Sequence, residues 1–393
     1  MDDLWNLDPA VAFLNHGAFG ACPAEVLRRQ AELRRQMEAE PVRFFMREMP
    51  PLVAAARQSL ARWIGARADD VVFVRNATEG VNAVLRSLRF RPGDELLVTD
   101  HGYNACTNVA NYVAGREGAV VAVARVPVPI RSADEVVDAV MARATPRTRL
   151  ALLDHVTSPT AVVFPIEELV RQLALRGIDT LVDGAHAPGM VPLDVDSIGA
   201  AYYTGNLHKW ACAPKGAAFL HVRRDRQDDL QPPVISHGYN QARPGHSRFQ
   251  DAFDWTGTDD PTAWLCVPAA IEFLEGLVDG GLDGLMAHNR QVVVAAREML
   301  CRRLPVRPVC SEEMLGSIAA VRLPDDARPA PDAGGGHRFN RELLDRYGIE
   351  VPVYYWPAPP HPMLRISAQY YNCPGQYERL ADAMGELLGG QPE

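Results

Sequence analysis

The 393-residue chain is 47% hydrophobic and 23% charged, with a formal charge of −9 spread over both signs; such a composition describes a globular protein with a large core, most simply in two domains. No basic block offers a nucleic-acid footprint, no apolar run approaches membrane-spanning length, and the acidic, polar start does not read as a secretory leader. Seven cysteines without CxxC or zinc spacing suit reduced thiols in a cytoplasm.

In chain order, residues 1–20 form an arm ending in Phe13-Leu14-Asn15-His16-Gly17-Ala18-Phe19-Gly20, with glycines where the backbone turns tightly. Two helices follow, one from Pro23 with Val26, Leu27, Leu33 and Met37 as its apolar residues, the other from Pro50–Pro51 to Gly65. From residue 70, apolar strands at 71–75, 95–99, 119–125, 149–154, 179–183, 200–204 and 217–222 alternate with helices such as 78–89, 132–144 and 165–176. The alternation predicts an α/β fold whose mostly parallel, seven-stranded sheet is covered on both faces, with ligands at the carboxyl ends of the strands.

After about residue 255 come helices at 261–278 and 281–302, a strand at 316–322, and a Pro/Asp/Gly-rich loop at 324–337. A helix at 338–347, strands at 349–354 and 363–368, and a last helix at 375–388 complete a smaller α+β unit. The expected division is an arm (1–20) joining the small domain, a large domain (21–258) and a small C-terminal domain (259–393).

The strand ends carry the chemistry. Only two lysines are present, Lys209 and Lys215; arginine, always protonated, cannot replace them where a neutral amine is needed. Lys209 follows an apolar strand in Tyr-Tyr-Thr-Gly-Asn-Leu-His-Lys-Trp, whereas Lys215 reads as a turn residue. Asp183, in Leu-Val-Asp-Gly-Ala-His-Ala, ends another buried strand. An aspartate to hold a pyridinium nitrogen and a lysine to bond an aldehyde are what pyridoxal 5′-phosphate (PLP) requires.

Asn76-Ala77-Thr78 opens a helix after a strand, offering free N–H groups and a hydroxyl to a phosphate, or a plain cap. Either Tyr103 or His101, after strand 95–99, can supply a flat partner for the ring. Ser158 can meet the phenolic oxygen, His186 can reach the ring edge, and Asn206 with His208 can close on the phosphate. Arg365, alone in an apolar strand, calls for a carboxylate from substrate or from the protein.

Taken together, Leu14 to Gly20, Asn76-Ala77-Thr78, Val182 to Gly189, Gly205 to Trp210, Gly257-Thr258-Asp259-Asp260 and Leu364 to Ala368 resemble the isopenicillin N epimerase-like branch of the class V aminotransferase family, fold-type-I PLP enzymes. The resemblance implies Lys209 as the cofactor-bonded lysine, which once displaced by substrate would act as base or acid at Cα, and Asp183 on the ring nitrogen. It also implies Ala77, Thr78, Asn206 and His208 at the phosphate, Ser158 and His186 near the phenolic oxygen, and Tyr103 over the ring. Arg365, with Asn15 and His16 from the arm, would face the amino-acid substrate. Thr258 would reach the phosphate of a neighbouring subunit, so the implied unit is a homodimer with shared sites. The implied reaction is C–S β-elimination on a cysteine S-conjugate of secondary metabolism; epimerisation, with Tyr103, His101 or His16 as second acid, and decarboxylation-linked or transamination chemistry are the alternatives. Residues 311–364 contain no cysteine, which disfavours a desulfurase, and no GxGxxG follows the first strand, which disfavours a nicotinamide enzyme.

Overall fold

A computed structural model describes residues 4–325 and 337–389. Strands β1 (Val71–Val74), β2 (Glu95–Thr99), β3 (Val120–Ala124), β4 (Thr148–Asp154), β5 (Asp179–Asp183), β6 (Tyr202–Asn206) and β7 (Ala218–Val222) form one sheet in the order β1-β7-β6-β5-β4-β2-β3. Only β7 runs against its neighbours; the remaining pairings are parallel.

Alternate residues of these strands serve two cores. Val71, Phe73, Leu97 and Leu153 pack into one apolar cluster, and Val72, Val74, Leu96 and Leu152 into another. Helices α1 (Ala77–Ser87) and α2 (Asn104–Glu117) contribute Val81, Val84, Val109 and Val113 to the second. Helices α3 (Ala133–Arg143) and α4 (Ile166–Leu175) contribute Val136, Val140, Leu169 and Leu173 to the first. Burial on both faces is why these strands, apart from the edge strand β3 with its exposed Val120 and Val123, read as continuous apolar runs, at about 1.5–3 kcal/mol for each buried Val or Leu.

The second sheet consists of β8 (Arg307–Pro308), β9 (Ile318–Arg322), β10 (Val353–Tyr355) and β11 (Pro362–Ser367), antiparallel in the order β10-β11-β9-β8. Helix α5 (Gly281–Arg303) packs against it, and α6 (Pro374–Gly389) packs on α5, its Tyr377 OH donating to the Ser367 carbonyl at 2.7 Å. The arm joins the two regions: Ala12–Phe13 pairs in parallel with Ile349–Glu350, and Gly17 N–H donates to Ser367 Oγ at 3.1 Å. Its last residue, Gly20, has φ +69°, and a Cβ there would lie 2.2 Å from the His208 carbonyl oxygen. Glycine is what lets the arm lie directly on the backbone of Lys209.

Three expectations change at prolines. The helix expected from Pro50 begins earlier, as Pro41–Arg43, a π-turn over Phe44–Glu48 and a helix over Met49–Trp63; Pro50 and Pro51 fall where the π-turn has already broken the regular ladder. The helix expected over 261–278 is two pieces, Thr262–Leu265 and Val267–Glu275, separated just before Pro268. The strand expected over 349–354 divides at Pro352, its first part pairing with the arm and its second with β11. Of the loop expected at 324–337, residues 326–336 lie outside the described residues.

Candidate active site

The carboxyl ends of β1, β2, β4, β5 and β6 deliver Asn76, Asp100, His155, Asp183 and Asn206 to one rim of the large sheet. Asp183 is 2% exposed. Its Oδ1 accepts Ala185 N–H at 3.0 Å and its Oδ2 the Cys106 thiol at 3.0 Å, while Gly184 beside it leaves room for the Tyr203 ring, which a Cβ would meet at 2.4 Å. Burial raises the Asp183 pKa above the ordinary carboxylate range. Asp154 stands opposite it in the β4–β5 register and is raised well above that range, by burial first and then by the Asp183 charge. Two adjacent buried carboxyls resist ionising together, so a cation brought beside them is favoured.

Lys209 is half-buried, with Nζ 3.1 Å from His186 Nε2. Burial foremost, with the charge of Arg365, lowers its pKa from 10.5 to about 7. The hydrogen bonds agree with a neutral amine. Trp210 Nε1–H donates to His186 Nδ1 at 3.3 Å, so the neutral imidazole carries its proton on Nε2 and presents it to Nζ, which must accept. His186 is itself held neutral, its pKa well below 6.5 chiefly through burial, with the Arg365 charge acting in the same sense.

At the start of α1, Asn76 accepts Glu79 N–H at 2.9 Å, and Ala77 N–H donates to Asn206 Oδ1 at 2.8 Å, with Thr78 between them. The Ala77 N–H expected for a phosphate is thus already used: the close approach of β6 to the helix start gives it a protein acceptor. His208 donates Nδ1–H to the Ala217 carbonyl at 2.9 Å, and burial lowers its pKa to about 4, leaving Nε2 as an acceptor in the neutral ring.

Arg365 is 6% exposed, extends Nη1 to Ser158 O (2.7 Å) and Ser158 Oγ (3.2 Å), and leaves Nε buried without a partner. Ser158 therefore sits with Arg365. Both line a cavity of ≈ 560 Å³, as does Tyr103, which is 43% exposed. Lys209 is not part of that cavity's lining and is linked to it through Arg365.

Two histidine expectations are corrected. His101 is fully buried: Nδ1 lies 2.6 Å from Thr160 Oγ1, Nε2 lies 3.2 Å from the Val126 carbonyl, and the ring packs on Trp356 at 4.5 Å. His16 is likewise buried, with Nδ1 2.7 Å from Tyr371 OH, Nε2 3.1 Å from the Lys209 carbonyl, and its pKa lowered by burial to about 3. Neither ring has a nitrogen left for a substrate or for proton transfer at Cα; both brace the site. Asn15 ties the arm to Glu350, its Nδ2 donating to Glu350 Oε1 at 2.9 Å while Oδ1 is buried without a partner. Thr258 lies on the exposed surface, before the Asp259–Arg75 and Asp260–Arg34 ion pairs.

Cys106 and Asp154 are additional members of the site. Neither carries a motif; the only sequence signal is that Asp154 closes an apolar strand as Asp183 does.

Residues 12–328 match the family described as "Aminotransferase class-V". Isopenicillin N epimerase of Amycolatopsis lactamdurans is 38% identical, over 97% of this chain and 96% of its own length. A probable chloroplastic L-cysteine desulfhydrase of Arabidopsis thaliana is 35% identical, over 97% of this chain and 84% of its own. The fold is that of a variant of C-DES with glycine covalently linked to its PLP cofactor, at a TM-score of 0.80 and 20% identity over 98% and 99% of the two chains.

Proposed function

The chain belongs to the class V aminotransferase family, PLP-dependent enzymes, and from that premise we propose that it removes the Cα proton of a cysteine S-conjugate and expels the sulfur substituent. The donor set fits PLP: a buried carboxyl beside a second one, an amine kept neutral, and a helix start flanked by Asn206. Asp183 would hold the ring nitrogen, Lys209 the aldehyde carbon, and Thr78 and Asn206 the phosphate; His208, with Nδ1–H given to Ala217, would donate to the phosphate only as the imidazolium that the anion itself induces. Tyr103 would cover the ring, with His186 on the side of the phenolic oxygen. When bound, PLP supplies an electrophilic carbon for the substrate amine and a cationic ring that takes up the electron pair left on Cα.

Within this frame Arg365 clamps the substrate carboxylate, with Ser158 holding one arm of the guanidinium in place. Lys209 Nζ accepts the Cα proton, since an amine with pKa about 7 is largely free base in mildly alkaline solution. His186 Nε2–H orients the Nζ lone pair. Breaking the C–S bond sends its electron pair out with the thiolate, and hydrolysis of the remaining fragment gives pyruvate and ammonia.

The observation that favours elimination is the locking of both nitrogens of His16 and His101, because epimerisation needs a second acid on the opposite face whereas elimination needs one base. Epimerisation remains the second reading, supported by the 38% identity to isopenicillin N epimerase, with Tyr103 as its acid. That same relative is the support for a place in antibiotic biosynthesis, and an exposed Thr258 is compatible with a homodimer that shares its phosphate sites. Seven unpaired cysteines suit a reducing cytoplasm. Incubation with an S-alkyl cysteine tests the reading: pyruvate and ammonia are expected. Racemised substrate carrying solvent deuterium at Cα, without keto acid, would instead establish the epimerase.

A further inference from the structure

The cavity next to Arg365 carries charge of opposite sign at two places. Among the described residues that line it, only Arg365 and Asp100 are charged. Arg365 N–H donates to Pro352 O at 3.1 Å, fixing the guanidinium's strand beside the start of β10. Beyond that point the chain runs through Tyr354, whose OH donates to Pro159 O, and Tyr355 to Trp356, whose Nε1–H donates to the Asp100 carbonyl at 3.2 Å. From Pro352 to Trp356 is roughly 13 Å of extended backbone. One end of this aromatic wall is therefore at the carboxylate clamp and the other at Asp100.

Among the described residues Asp100 has no cationic partner. Its Oδ1 accepts Val126 N–H at 3.0 Å, and the nearest basic group, His101 Nε2 at 3.9 Å, belongs to a ring whose pKa burial lowers and whose Nε2 is given to the Val126 carbonyl. Among the described residues no lysine or arginine forms an ion pair with Asp100. An unpaired carboxylate in a cavity that Tyr103, Tyr354 and Trp356 also line offers what ammonium groups prefer, by charge and by the negative faces of aromatic rings. At ≈ 560 Å³ the cavity lies within the ~300–1,000 Å³ range of small-molecule pockets.

We propose that this cavity selects amino acids whose Cβ substituent ends in an ammonium-type cation, held by Asp100 within the wall that Trp356 completes. The proposal rests on the reading of the site as one that binds amino acids through Arg365, and it names the class of substituent. It disfavours substrates with a second carboxylate at the distal end, which Asp100 repels.

Three cysteine conjugates of one chain length test it, S-substituted with a propyl chain ending in trimethylammonium, in tert-butyl or in carboxylate. Binding to the holoenzyme is followed by the change in its visible spectrum, and turnover by pyruvate release. The cationic conjugate is expected to bind about tenfold more tightly than the tert-butyl one, and the carboxylate one more weakly than either. Asp100→Asn retains the oxygen that accepts Val126 N–H, and should bring the cation to tert-butyl ratio to about one; Asp100→Glu should keep the preference. Equal binding of the three by the unaltered enzyme, or an unchanged ratio in Asp100→Asn, overturns the proposal. Absence of pyruvate from every conjugate would count against elimination alone, because the binding ratio is read independently of turnover.

Discussion

The neutral state of Lys209 has a consequence that can be measured without any substrate. In cofactor-stripped protein, only the free amine attacks the PLP aldehyde, so the rate of capture follows the neutral fraction. With a pKa of about 7 in place of 10.5, the amine at pH 8 is about 90% neutral rather than about 0.3%, a gain of roughly 300-fold. Capture, followed by stopped-flow absorbance, should rise about tenfold per pH unit below pH 7 and level off above it. Burial is the main cause of the shift and Arg365 the second, whereas Asp183 acts in the opposite sense. Arg365→Leu should therefore move the midpoint up, and Asp183→Asn should move it down. A rate that climbs steadily from pH 7 to pH 9 in the unaltered protein would refute a neutral Lys209.

Other expectations are direct. Asp183→Asn should still bind PLP but lose about 10²–10³-fold in kcat for pyruvate release, through loss of the counter-charge at the ring nitrogen. His101→Phe should lower the melting temperature by the equivalent of about 1–3 kcal/mol, read by calorimetry, while Cα-proton exchange persists, because its nitrogens serve Thr160 and Val126. Gly20→Ala forces a Cβ against the His208 carbonyl at positive φ; thermal melts and PLP titration should show a loss of more than about 1 kcal/mol in stability together with weaker cofactor affinity.

Much of the large sheet could be read directly because burial on both faces removes the polar alternation that obscures other strands, and Asp183 and Lys209 stand out where apolar runs end. What could not be read depends on contacts between distant segments. Cys106 reaches Asp183 only because α2 brings it over the sheet, 77 residues away in sequence. Asp154 becomes part of a carboxyl pair only through the β4–β5 register. His16 and His101 sit in stretches rich in glycine and polar residues that look open to substrate, yet Tyr371 and Thr160, 355 and 59 residues away, occupy their nitrogens. The proline-bounded changes in the helices and in strand 349–354 come from similar causes: local pattern shows where a breaker lies, while tertiary pairing decides which piece goes to the arm and which to the sheet.

One covalent bond decides the matter most directly. Holoenzyme reduced with borohydride, digested and mapped by mass spectrometry should carry the reduced cofactor on the peptide containing Lys209 and on no other. Cofactor found on Lys215, or protein that takes up PLP without forming any reducible bond, would contradict the assignment.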